Sequence, residues 1–140
     1  MKKGFFISVG NRINLSNRAP PIGLHSPPNS EIIRSMDKIA ALTEILTQDP
    51  TNAFARYGLA MEHASQGNTD TALSEFQRLV SDHPDYTAGY FMAAQTLAKA
   101  GRADEAKLRL AEGIASARRT GNQHALSEMQ AMLDDLELGA

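Results

Sequence analysis

The sequence predicts an all-α protein, a right-handed stack of about six antiparallel helices, and three observations lead to this prediction. Apolar residues recur at helical spacing between residues 36 and 137. Prolines beyond residue 28 occur only at Pro50 and Pro84. A shift of 34 residues aligns part of the chain with itself, and such a period indicates stacked repeats. The identical pairs are Pro50 and Pro84, Ala64 and Ala98, Gly67 and Gly101, Asp70 and Asp104, and Ala72 and Ala106.

The first helix is predicted to start at Glu31 or Ser35 and to end at about Gln48. Asp49 and Pro50 set its end, because the residue before a proline is steered away from helical backbone angles. Its apolar residues at helical spacing are Ile39, Leu42, Ile45 and Leu46.

The second and third helices are predicted over about 53–66 and 69–82. Asn52 is expected to cap the second helix, since an asparagine side chain can accept a hydrogen bond from an amide of the first turn. Gly67 supplies the left-handed backbone that ends this helix. Asn68 is expected to cap the third helix in the same way as Asn52.

The second repeat predicts helices over about 86–100 and 103–119, after a second stop at Pro84. Gly121 then precedes a last helix over about 122–137. Because the connections are only a few residues long, neighbouring helices must be antiparallel. The apolar side of the last helix is formed by Leu126, Met129, Met132, Leu133 and Leu136.

At these residues the chain resembles the tetratricopeptide repeat (TPR) family, whose 34-residue unit is a helix–turn–helix with small residues at the helix contact. The resemblance covers residues 36–137 and implies a TPR-like α-solenoid. It implies full repeats at about 53–86 and 87–120, a half-repeat helix at 36–48 and a capping helix at 122–137. The residues that carry it are Leu59, Ala72, Phe76 and Pro84 in the first repeat and Tyr90, Ala94, Leu97, Ala106 and Leu110 in the second.

Some residues depart from the family pattern. Arg56 stands where the family prefers Trp, Ala60 where it prefers Gly, and His63 where it prefers Tyr. Arg118 replaces the final proline, so we expect the last connection to be less sharply set. Gly58 and Gly89 lie inside helices, where each costs about 1 kcal/mol relative to alanine. They either allow a close approach by a helix or ligand, or have no role.

Residues 1–35 are expected to form a disordered leader. They hold four of the six prolines, are rich in Asn, Ser and Gly, and have no helical period. Lys2 and Lys3 precede an apolar run, as in a secretory signal, but the run is too short and no small-x-small cleavage site follows. A third interpretation is that translation begins at Met36.

Charge and composition argue against several classes of partner. Residues 1–35 have a net charge of +4, whereas the rest of the chain carries nine basic and fifteen acidic residues. The acidic remainder weakens the alternative of an RNA or membrane adaptor, and no nucleic acid is expected. No run approaches the roughly 18 apolar residues of a membrane span, so no membrane association is expected. The absence of cysteine excludes disulfides and fits a cytoplasmic location.

The sequence predicts no enzyme, cofactor or metal site. The four histidines are far apart in the sequence, and none is paired with another at ligand spacing. There is no glycine-rich phosphate loop and no serine in a nucleophile elbow.

The resemblance implies instead a concave face, lined by the first helix of each repeat, that binds a peptide or a partner protein. It places on or near this face Phe54, Tyr57, Met61, Phe91, Met92, Gln95 and Lys99. Aromatic and methionine side chains suit binding, although several of these could equally pack against flanking helices.

Two further expectations concern the partner. Family members that grip a C-terminal carboxylate use Lys, Asn and Arg on the concave face. Here Tyr57, Met61 and Met92 fill those places, so such a clamp is not expected. The alternative function is self-association, in which the groove of a homo-oligomer is filled by its own partner chain.

Overall fold

The structure is a computed structural model that describes residues 30–139. Within this range the chain forms six α-helices and no strand, which confirms the predicted all-α class. The helices are α1 (Ser30–Gln48), α2 (Ala53–Ser65), α3 (Thr69–Asp82), α4 (Thr87–Lys99), α5 (Ala103–Thr120) and α6 (Gln123–Gly139). Residues 30–35 are the first turns of α1, and the predicted leader otherwise lies outside the described residues.

Three turn glycines end α2, α4 and α5 in the same way. Gly67, Gly101 and Gly121 have φ angles of 80°, 78° and 69°. In each turn the residue after the glycine donates its backbone N–H to the carbonyl five residues earlier, as Asn68 does to His63. This hydrogen-bond pattern satisfies carbonyls that the helix end leaves free, and it reverses the chain within a few residues.

The predicted asparagine caps were right at one position and wrong at another. The Asn52 side chain accepts a hydrogen bond from the Ala55 N–H at 2.8 Å, which confirms the cap of α2. The Asn68 side chain makes no cap hydrogen bond: its backbone, with ψ 69°, is not extended as that of Asn52 is, with ψ 108°, and its Nδ2 donates to the Gln66 Oε1 at 3.3 Å. Asn122, after the third turn, does cap α6 through the Ala125 N–H at 3.0 Å.

The absence of a proline at Arg118 lengthens α5. Helix α3 ends at Asp82, two residues before Pro84, and has 14 residues. Helix α5 has 18 residues and continues past Arg118 to Thr120, since nothing at this position removes an N–H or clashes with the preceding turn. The connection is still sharply set, contrary to our expectation, because Gly121 supplies the left-handed residue.

Small residues lie at the helix contacts, as predicted. Three clusters of buried residues join successive helices along the stack. Ala60 and Ala72 lie in the cluster of α2, α3 and α4, and Ala94 and Ala106 lie in that of α4, α5 and α6; all four are fully buried. Neighbouring helices can therefore approach closely through side chains that have no more than a methyl group.

Replacement of Ala72 by leucine is expected to lower the free energy of unfolding by about 1–3 kcal/mol, the usual cost of overpacking. Ala72 is fully buried beside Phe76 and Leu79, so the added atoms have no free space. Denaturant melts would measure the loss. The control is Thr71→Leu on the exposed side of the same helix, which should change stability little, and equal melts for the two variants would contradict the packing.

Two side chains at equivalent positions of the two repeats connect α2 and α4 to the prolines that precede these helices. The Arg56 Nη2 donates to the Pro50 carbonyl at 2.9 Å, and the Tyr90 hydroxyl donates to the Pro84 carbonyl at 2.8 Å. Arg56 also pairs with Glu75 of α3. Both side chains stand where the family prefers Trp, so two different residues here make the same hydrogen bond.

Candidate functional site

The first helices of the two repeats, α2 and α4, border an open hollow of about 350 Å³. We call it the α2–α4 hollow; its walls come from the last turns of α2 and α4 and from the α2–α3 turn. Four of the seven residues predicted for binding line it together: Met61, Met92, Gln95 and Lys99. The remaining lining residues are small, namely Ala64, Ser65, Gly67, Thr69, Thr96 and Ala100.

The other three predicted residues lie elsewhere. Tyr57 is half-buried and packs edge-on against Phe76, with 6.3 Å between ring centroids, and against Tyr86 at 5.5 Å. Phe91 packs against the buried cluster of α4, α5 and α6. Phe54 is 76% exposed. The structure therefore brings together the methionines and the polar residues of the predicted set, but not its three aromatic side chains.

The hollow has an apolar floor and a polar rim. Met61, Ala64 and Met92 also contact the buried cluster of α2, α3 and α4, so the floor is continuous with the core. Within residues 30–139, neither Gln95 nor Lys99 has a hydrogen bond or an ion pair, although the Thr96 hydroxyl between them donates to the Met92 carbonyl at 2.8 Å. The amide and the ammonium are therefore free to bind a ligand beside an apolar floor.

Burial against Phe76 and Tyr86 affects the ionisation of Tyr57. Loss of solvent raises the pKa of the Tyr57 hydroxyl above its ordinary value, and the neighbouring Tyr86 raises it further. Because the folded pKa is raised, the neutral hydroxyl contributes stability below about pH 10 that is lost as the pH rises through the folded pKa.

Tyr57→Phe is therefore expected to make the loss of stability above about pH 10 less steep, because the variant lacks one of the tyrosines whose pKa is raised in the folded state. Chemical denaturation at a series of alkaline pH values would measure the slope. Tyr90 also has a raised pKa from burial, so part of the slope should remain in the variant. An unchanged slope would mean that Tyr57 is as accessible in the folded state as in the unfolded state.

A second hollow, which the sequence did not predict, lies between α3 and α5 above α4. We call it the α3–α5 hollow; its volume is about 320 Å³. Leu108 of α5, which is 66% exposed, lies at its edge. One signal in the sequence could have indicated this feature, because the residue 34 positions before Leu108 is Ser74. An apolar side chain thus replaces a polar one at an exposed repeat position.

Two other kinds of feature bear on what residues 30–139 could bind. No group of three or more His, Asp or Glu side chains in this part of the chain is placed to hold a metal ion. None of the six helices is both long enough and apolar enough to cross a membrane.

Comparison with known proteins identifies the family to which this sequence is similar. The family model described as tetratricopeptide repeat matches residues 63–132. A TPR repeat-containing protein of Pseudomonas aeruginosa is 29% identical over 99 residues, which cover 71% of this chain and 94% of that protein.

Solved structures show the same fold. The solution NMR structure of a TPR domain protein from Salinibacter ruber is 38% identical, with a TM-score of 0.59 over 63% of this chain and 89% of that one. PcrH in complex with the chaperone binding region of PopD has a TM-score of 0.70 at 18% identity, over 79% of this chain and 84% of that one. The chain belongs to the tetratricopeptide repeat family and is a protein-interaction module.

Proposed function

We propose that the chain binds a peptide segment of a partner protein in the α2–α4 hollow, with no catalytic step and no cofactor. The observation that carries the proposal is the pairing of an apolar methionine floor with two polar side chains that have no partner in residues 30–139. Methionine adapts its shape to different apolar side chains, which suits a groove that must receive a protruding residue.

The shape of the hollow indicates how the segment binds. A volume of about 350 Å³ is at the small end of ligand pockets, so it suits one or two side chains and not a whole folded domain. An apolar side chain of the partner would contact Met61 and Met92. Gln95 would then hydrogen-bond the backbone of the segment, and Lys99 would contact an acceptor at the edge.

Proteins of the same fold give fold-level support. PcrH was solved with the chaperone binding region of PopD, and SycD of Yersinia enterocolitica with a peptide of the translocator YopD. Both are below 20% identical to this chain, so they support the use of the fold for holding a segment of another protein and say nothing of which segment is bound here.

A displayed library of random peptides, selected on the full chain, would test the proposal. Binders would then be titrated against Met92→Ser, which reduces the floor, and Ser65→Trp, which fills the hollow from an exposed position without changing the core. Both variants should weaken binding by about tenfold or more, as loss of a central anchor does. The matched control is Ser127→Trp on the exposed side of α6, which should bind as the wild type does.

Either of two results would end the proposal: a library that yields no binder, or binders whose affinity for Ser65→Trp equals that for Ser127→Trp. The alternative, that a partner copy of the chain fills this hollow, stays a prediction. It requires Ser65→Trp to abolish self-association in light scattering. The cytoplasmic location also stays a prediction.

A further inference from the structure

The outward edge of α5 combines an exposed apolar side chain with an open hollow. Leu108 lies at the edge of the α3–α5 hollow, whose walls include Leu73 and Val80 of α3 and whose floor includes Tyr90 and Ala93 of α4. No side chain of residues 30–139 fills this space, and Leu108 itself is mostly exposed. The same surface therefore offers both a protruding apolar group and a place to receive one.

Charged residues of alternating sign lie beside Leu108. Arg102, Glu105, Arg109 and Glu112 follow one edge of the α3–α5 hollow, at intervals of three, four and three residues. Arg102 pairs with Glu105, and Arg109 pairs with Glu112 at 2.6 Å. Their side chains remain between 34% and 52% exposed, so each can still contact a group outside the chain.

The order of these charges is complementary to itself when the helix is reversed. In an antiparallel pair of α5 helices related by a two-fold axis, Arg102 faces Glu112 of the second copy and Glu105 faces Arg109. The axis passes beside residue 107, so the two Leu108 side chains meet near it, each above the hollow of the other copy. A parallel pairing instead places like charges opposite each other, which is unfavourable.

We propose that this face is the interface of a homodimer in which two α5 helices pack antiparallel around Leu108. A two-fold contact requires a surface that is complementary to itself, and the charge order satisfies that requirement. Exposed ion pairs contribute little free energy, so Leu108 and the hollow supply the affinity, and the charges set direction and register. The inference does not rest on the proposed peptide binding, because it uses a different face and leaves the α2–α4 hollow open.

Sedimentation equilibrium of the full chain, up to about 500 μM, would test the dimer. The wild type should dimerise, and Leu108→Ser should raise the dimer dissociation constant by about tenfold or more. The matched control is Leu138→Ser, whose side chain is 86% exposed near the end of α6 and lies outside this face. A wild type that stays monomeric, or equal dissociation constants for the two variants, would overturn the proposal.

Charge exchange tests the antiparallel register. Arg109→Glu and Glu105→Arg should each weaken the homodimer. The two-fold axis creates the contact between residues 105 and 109 twice, and each substitution places like charges opposite each other in both contacts. An equal mixture of the two variants should form heterodimers about as tightly as the wild type self-associates, since one copy then has two acidic and the other two basic side chains at these positions. Circular dichroism would verify that both variants fold. A mixture that associates no better than either variant alone would overturn the register and, with it, the proposal.

Discussion

Replacement of Arg56 by methionine is expected to lower the free energy of unfolding by about 3 kcal/mol. Arg56 is 8% exposed, and its guanidinium joins three elements. It pairs with Glu75 of α3 and donates to the Pro50 carbonyl at the junction of α1 and α2. Methionine keeps much of the apolar stem but leaves a partly buried carboxylate and a carbonyl without their donor, which is the costly part of the change. Urea denaturation would measure the loss.

A matched substitution in the second repeat separates the ion pair from the hydrogen bond. Tyr90→Phe removes only the hydroxyl that bonds to the Pro84 carbonyl, which still accepts from the Arg119 Nη2 at 3.1 Å, so it should cost no more than about 1 kcal/mol. The double variant Arg56→Met with Glu75→Leu should recover part of the loss, because it leaves no unpaired carboxylate. A loss for Arg56→Met no larger than that for Tyr90→Phe would show that the pair with Glu75 contributes nothing.

The role of Arg56 illustrates what the sequence could not predict. The sequence identified Arg56 only as a departure from a position where the family prefers Trp. Its partners, Pro50 and Glu75, lie 6 and 19 residues away, and only the packing of α2 against α3 brings the second one close. Tyr90 replaces it in the next repeat with a neutral hydroxyl, so the shared feature is a donor to the proline carbonyl, which residue identity does not reveal.

The helices themselves were predictable because their ends depend on local chemistry. Pro50 and Pro84 stop helices through their own rings, and Gly67, Gly101 and Gly121 supply left-handed backbone wherever they stand. The errors were also local. Asn68 does not cap α3, because its backbone, with ψ 69°, lacks the extended conformation that Asn52 has at the start of α2. After the third turn, the corresponding asparagine, Asn122, does cap α6.

The candidate site was predictable only to the level of the helices that line it. The resemblance to the family indicated α2 and α4, but the contacts of each side chain depend on the neighbouring helices of the stack. Phe91 packs against the cluster of α4, α5 and α6, and Tyr57 packs against Phe76 and Tyr86. A double substitution of Tyr57 and Phe91 by alanine should therefore lower the free energy of unfolding, since each truncation opens a space in a packed cluster. Any loss of binding would then follow from the loss of stability.

Substitution of Gly113 by alanine is expected to lower the free energy of unfolding by about 2 kcal/mol, even though alanine favours helices. A methyl group at Gly113 would lie 2.5 Å from the Met129 Sδ and 2.8 Å from the Tyr90 Cβ. The methionine can turn aside, but the Tyr90 Cβ is fixed to the backbone of α4, so α4 and α5 would have to separate. Gly113 thus sets the distances of α5 from α4 and from α6.

Two other helical glycines give a graded control by the same measurement. A methyl group at Gly89 would lie 3.0 Å from the Leu79 Cδ2 and the Val80 Cγ1, which need to shift only slightly, and one at Gly58 would lie 3.3 Å from the end of Leu42. Gly89→Ala should therefore cost less than Gly113→Ala, and Gly58→Ala should be neutral or should stabilise by up to about 1 kcal/mol through helix propensity. If all three substitutions changed stability equally, backbone propensity alone would account for them, and close approach at Gly113 would be excluded as the reason for a glycine there.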